Sequence, residues 1–189
     1  MSSIENLPKV AMILVSIYLI LFVLNKLKYK GKLFDMSCAK GFSNMQRNEW
    51  YRLFTGSFFH ADILHLLGNV FAMYFVGSIL EIKIGSYYFL LIYLIVDIAE
   101  SFVWSKVFTS AKSGCGASAG IYALIACILI LYLQNPNLFN LDFGTWALNY
   151  LVWYFFLGNF IGLSGLIAHS LGFSFGIVGS MILLLAGVL

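Results

Sequence analysis

Residues 114–126 read GCGASAGIYALIA, and the apolar run they open continues without a charge to Leu133. Small residues surround a serine, Ser118, and the chain then turns uniformly hydrophobic. Such a run is a candidate membrane helix, so the hydroxyl sits at the entry to lipid. It can be filler, bonded back to its own helix or capping it, since serine is a favoured N-cap residue. It can also be a nucleophile, if a base elsewhere takes its proton.

The rest of the 189-residue chain supports a lipid solvent. Hydrophobic residues make up 61% and charged residues 10%, and mean hydropathy is +0.93. A soluble domain is roughly 45–50% apolar and about 25% charged. At ~20 apolar residues per crossing, six spans are expected: residues 10–27, 63–80, 86–103, 118–133, 146–163 and 168–189. Glycine, proline or polar clusters mark the boundaries, among them EIKIGS, KSGCG, QNPNLFNLD and GLSG. No cleavage motif follows the first run, so it reads as an uncleaved span. Backbone groups in lipid must be satisfied internally, so the expected fold is all-α: one membrane domain over residues 1–189, its core about 50–189.

Net charge is +3, with Lys and Arg placed beside apolar spans and not in a soluble basic module, so no nucleic-acid partner is expected. The longest connection, residues 28–59, carries Lys28, Lys30, Lys32, Lys40, Arg47 and Arg52 together with Trp50, Tyr51, Phe54, Phe58 and Phe59. That mixture suits a layer lying at the lipid headgroups. Of the three cysteines, Cys127 lies inside an apolar run and reads as a packed thiol. Cys38 and Cys115 can pair or stay reduced; sequence leaves both open.

Polar side chains within lipid are costly, and three clusters ask for a reason. In the second span His65 and Asn69 are four apart and share a helix face, whereas His60 and His65 are about 140° apart around a helix. That is poor geometry for one metal, and no H-E-x-x-H is present, so no metal or other cofactor is expected. Ser118 opens the fourth span, where unpaired backbone N–H groups favour negative charge. In the sixth, His169 shares a face with Gly172 and Gly176, whose spacing lets a neighbouring helix come close. The chain holds three histidines, and only His169 has such a face. A Ser118–His169 pair, with His65 and Asn69 donating to an oxyanion, uses all three clusters. Asp97 and Glu100, near the end of the third span, face a wet crevice or mark the membrane interface, and the interface is the favoured reading. Alternatives are a protein that binds membrane clients without cutting them, or a small transporter.

These residues resemble the rhomboid family of intramembrane serine proteases, over about residues 50–176. The G-x-S-G motif matches as Gly116, Ala117 and Ser118, with Ala119 in the last place. H-x4-H-x3-N matches as His60, His65 and Asn69, and A-H-x-x-G-x-x-x-G as Ala168, His169, Gly172 and Gly176. The resemblance implies a six-transmembrane-helix rhomboid-like bundle and a Ser118–His169 dyad without an acidic third member. It implies oxyanion contacts from His65, Asn69 and the Ser118 N–H, beside Gly116. It also implies a Tyr122 ring packed on the catalytic histidine, and structural roles for His60, Arg52, Glu81, Gly172 and Gly176. Tyr51-Arg52 stands where the family has Trp-Arg. The implied substrates are single-span membrane proteins cut in or near their transmembrane segment. The implied location is the inner membrane of a prokaryote, with the site opening to the extracytoplasmic side. Counting lysines and arginines gives the opposite orientation, because Lys9 and Lys83 alone lie on the other face.

Overall fold

The computed structural model describes residues 7–41, 43–107, 114–138, 149, 153–154 and 162–189. The protein is an all-α membrane bundle. Its first helix, α1 (Lys9–Leu27), buries Ala11, Leu14, Val15 and Tyr18, a single i, i+3, i+4, i+7 stripe. Ile13, Ile20 and Val23 on the other side are at least half exposed. That outward apolar surface is the face a helix presents to lipid.

Three short helices follow in the first loop: α2 (Lys32–Ser37), α3 (Ser43–Gln46) and α4 (Arg52–Thr55). Arg52 organises the loop. Its Nε donates to Glu49 at 2.7 Å, and its Nη1 donates to the carbonyls of Asp35 at 2.7 Å and Cys38 at 3.1 Å. Of the five loop aromatics expected at the headgroups, Trp50, Tyr51 and Phe54 are exposed. Phe58 is half-buried and Phe59 is buried; both lie where the chain turns inward toward the bundle.

The second and third spans follow one another with only a glycine corner between them. They comprise α5 (Ile63–Ala72), a π turn at Met73–Gly77 and α6 (Ser78–Val107). Within α6 the chain reverses at Gly85, whose φ of 82° and ψ of 155° interrupt the helix. Glycine adopts that conformation without a Cβ penalty. Glu81 closes the same corner: its two oxygens accept from the Val10 N–H at 2.9 Å and the Ala11 N–H at 2.8 Å, and Ser86 donates to it at 2.6 Å. The carboxylate thus caps the start of α1, where unpaired N–H groups favour negative charge.

At the centre is α7 (Ser118–Gln134), in which every residue from Ala119 to Ile128 is buried. A helix hydrophobic all round is one surrounded by others. The last helix, α8 (Leu163–Leu185), buries only His169, Gly172, Gly176 and Ser180, one narrow stripe facing α7. Its start was expected at residue 168. GLSG was read as a loop, yet only Gly162, at φ +100°, breaks the chain, and Ser164 and Gly165 form the first helical turn. In lipid, small residues mark close packing as often as they mark turns. The expected fifth span, residues 146–163, lies mostly outside the described residues, with Asn149, Trp153 and Tyr154 described within it.

Candidate active site

Helices α7 and α8 meet backbone to backbone. A Cβ at Gly172 would lie 2.3 Å from the Ala119 carbonyl oxygen, and one at Gly176 would lie 2.5 Å from the Ala123 Cα. Both contacts advance by one turn in the same direction, so the helices run parallel in register. That register sets the first turn of α7, with Ser118, beside the second turn of α8, with His169. Both side chains line one cavity of about 200 Å³, together with His65, Glu100, Cys115 and Gly116.

The loop entering α7 is held by backbone alone. Gly114 and Ala39 exchange two hydrogen bonds, at 2.8 and 2.9 Å, and the Gly116 N–H donates to the Gly56 carbonyl at 3.0 Å. Gly116 sits at φ +111°, and a Cβ there would come within 2.6 Å of the His65 ring. Positive φ and close approach both require glycine. Ala117, not Ser118, occupies the N-cap position of α7, and it makes no side-chain cap. The hydroxyl is therefore not spent on capping.

The first bond of the α7 ladder is from Ile121 N–H to the Ala117 carbonyl, so the N–H groups of Ser118, Ala119 and Gly120 precede it. Gly120 donates to Asp97 at 3.2 Å, and Ser57 donates its hydroxyl to the other Asp97 oxygen. Asp97 is 2% exposed and Glu100 6%, so both turn into the protein, and Glu100 lines the cavity, as the crevice alternative has it. Asp97 anchors the start of α7. Glu100 gives the cavity a polar wall, where its Oε1 has no partner among the described residues. The sequence signal for both is their i, i+3 spacing on one face of a long apolar span; the Gly120 N–H that Asp97 accepts from lies 23 residues on.

His169 is 2% exposed, and its ring stacks on Tyr122 with centroids 4.2 Å apart and planes 10° from parallel. The Tyr122 hydroxyl donates to the Tyr154 carbonyl at 3.2 Å. The imidazole is thereby fixed in plane by a ring that is itself tethered. His65 lines the cavity, whereas Asn69 does not. The Asn69 Nδ2 donates to the His65 carbonyl at 2.8 Å, and its Oδ1 accepts from the Tyr154 hydroxyl at 3.4 Å.

His60 packs at 5.3 Å from the Tyr18 ring and 5.1 Å from His65, deep behind the site. Burial, and then the neighbouring His65, push its pKa down to about 3, so it is a neutral ring at physiological pH. Among the described residues no group of three or more His, Cys, Asp or Glu side chains is placed to hold a metal.

A serine at a helix start, a histidine clamped against an aromatic ring, and a cavity that both line can support acyl transfer. Comparison with known proteins gives the family. The rhomboid domain model matches residues 47–186. The chain is 38% identical over 107 residues to the rhomboid protease GluP of Bacillus subtilis, covering 57% of this chain and 21% of that protein. It is 22% identical over 140 residues to the rhomboid protease GlpG of Haemophilus influenzae, covering 74% and 71%. It is 26% identical over 131 residues to the inactive RHOMBOID-like protein 8 of Arabidopsis thaliana, covering 65% and 37%. The chain spans about a fifth of the length of GluP and about a quarter of RHOMBOID-like protein 1 of Arabidopsis thaliana. With the domain model covering well over half of its residues, the chain belongs to the rhomboid family.

Proposed function

We propose that this protein is an intramembrane serine endopeptidase that works through a Ser118–His169 dyad within a single membrane domain. The observation that carries the proposal is the shared cavity: parallel helices in backbone contact bring Ser118 and a ring-clamped His169 to the lining of one space. His169 takes the Ser118 proton as the oxygen attacks a peptide carbonyl. It then returns that proton to the leaving amine, and water clears the acyl-enzyme.

The developing oxyanion has donors in the first N–H groups of α7 and in His65. Asn69 joins them only if its amide leaves the His65 carbonyl as substrate binds. No carboxylate is assigned to orient the imidazole; the Tyr122 ring does so instead. Substrates are membrane proteins whose transmembrane helix unwinds readily, because a helical peptide bond is shielded from attack. The site opens to the extracytoplasmic face.

The second reading is a protein that binds membrane clients without cutting them, and it is favoured by the inactive relative. A fluorophosphonate probe separates the two. Wild type is expected to be labelled at Ser118 and to cleave a model substrate with a glycine-destabilised span, and Ser118→Ala is expected to lose both. Folded wild type that takes up no probe and cleaves nothing establishes the binding reading.

A further inference from the structure

The bridge between the first loop and the loop entering α7 places two cysteines opposite each other. Ala39 and Gly114 donate to each other's carbonyls, which makes them a hydrogen-bonded antiparallel pair. One residue back from Ala39 is Cys38, and one residue on from Gly114 is Cys115. They are therefore the next pair along the ladder, of the non-hydrogen-bonded kind. At such a position Cα atoms approach to about 4.5 Å, within the ~4.4–6.8 Å that a disulfide spans. Both cysteines are free thiols.

We propose that Cys38 and Cys115 form a disulfide that staples the first loop to the loop carrying the nucleophile. Cys38 is fully buried, at the end of α2, where its carbonyl is held by Arg52. Cys115 is partly exposed and lines the cavity, so it is the sulfur a reagent meets first. Its thiolate attacks one sulfur of a disulfide oxidant, forming a mixed disulfide and releasing one oxidant thiol. Cys38 then gives up its proton and attacks the Cys115 sulfur, releasing the second oxidant thiol. Two S–H bonds break and one S–S bond forms; two electrons and two protons pass to the oxidant, whose disulfide is reduced to two thiols. The third cysteine, Cys127, is buried on α7 beside Ser180 and takes no part.

The consequence falls on the site. Two residues, Gly116 and Ala117, separate Cys115 from Ser118. A covalent bond at Cys115 holds Gly116 against His65, and the start of α7 in place, when heat or detergent loosens the first loop. The bond also removes loop-closure entropy from the unfolded chain over the 76 intervening residues.

The experiment uses the full chain in detergent and does not depend on its being a protease. Fully reduced protein is titrated with oxidised glutathione and quenched with N-ethylmaleimide; tryptic and chymotryptic peptides are then read by mass spectrometry. The expected product is a Cys38–Cys115 cross-linked pair lighter by two hydrogens than its parts, with Cys127 alkylated throughout, and with an unfolding midpoint above that of the reduced protein. The pairing is overturned if Cys38 and Cys115 both remain alkylated across the titration. It is equally overturned if oxidation stalls as a glutathione adduct on Cys115.

Discussion

Gly172→Ala is the sharpest perturbation of the proposed dyad, because it adds one methyl where there is no room and touches no reacting group. The new Cβ would lie 2.3 Å from the Ala119 carbonyl oxygen and 2.9 Å from its carbonyl carbon and Cα. A carbon and a carbonyl oxygen settle at about 3.3–3.6 Å, so the helices must part by about 1 Å at this level. All the clashing atoms are backbone, so no side chain can turn aside to absorb the change. Ser118 is one residue from Ala119, and His169 one turn from Gly172, so the opening falls directly on the pair. A displacement of about 1 Å costs on the order of 100-fold in rate, or about 2.7 kcal/mol in the barrier. Overpacking adds roughly 1–3 kcal/mol of destabilisation.

The assay is the rate of fluorophosphonate labelling at Ser118 and of substrate cleavage, run at a temperature where circular dichroism shows the variant folded. The control is Gly179→Ala on the same helix, where nothing lies within 4 Å of the added Cβ; it is expected to label at the wild-type rate. A folded Gly172→Ala variant that labels within about twofold of wild type refutes the claim that this backbone contact positions the dyad.

Other expectations follow from groups at the ends of the spans. Glu81→Gln leaves one amide oxygen where two carboxylate oxygens accept from Val10, Ala11 and Ser86. A buried N–H is stranded, and thermal unfolding should show a loss of about 2 kcal/mol, while labelling of Ser118 at the opposite end of the bundle is unchanged at low temperature. His60 gives acid sensitivity: its folded pKa of about 3 lies below the ordinary 6.5, so below pH 6.5 the unfolded state binds the proton and the native state does not. Stability from this site is intact above pH 6.5 and falls as pH drops toward 3, by about 2 kcal/mol at pH 5. His60→Phe should flatten that part of the pH profile of the unfolding midpoint; a variant profile parallel to wild type contradicts the assignment.

The parts of the bundle legible in sequence are those governed by one segment at a time. Hydropathy located α1 and α7 to within a residue or so, and Gly85 marked the reversal between two crossings. The i+3 and i+7 glycines after His169 announced a close neighbour. What a single segment does not carry is the identity of its neighbour. The π turn at Met73–Gly77 has no periodic signature, and Gly77 there meets Met73, Ala11 and Phe89, so it is set by the helices around it. Asp97 looked like an interface residue because its partners, Ser57 and the Gly120 N–H, lie 40 residues before and 23 after it. Asn69 shares a face with His65, but its amide N–H is engaged by the His65 carbonyl one turn back and its oxygen accepts from Tyr154, a residue of a different span.

Orientation is where fold and charge disagree, and the structure sharpens the conflict. The Ala39–Gly114 bridge puts the first loop and the nucleophile on one face, and the Glu81 cap puts Lys9 and Lys83 at the other. The basic residues of the first face do not all act as free topological charge. Arg52 is buried and bonded to Glu49, while Lys26, Lys28 and Lys106 lie over the rings of Phe22, Tyr29 and Phe102, about 5.5 Å from each centroid. Such pairs suit a layer seated at the headgroups. Lys30 and Lys32 nonetheless remain exposed, and the plain count still favours this face in the cytoplasm, against the proposed extracytoplasmic opening. Lys28→Cys on the first face and Lys83→Cys on the second are both exposed positions. With an impermeant maleimide on intact cells, and wild type as the background, Lys28→Cys is expected to label at once and Lys83→Cys only after permeabilisation. The reverse pattern means the charge count governs: the nucleophile then faces the cytoplasm, and the Cys38–Cys115 pair sits where thiols are kept reduced.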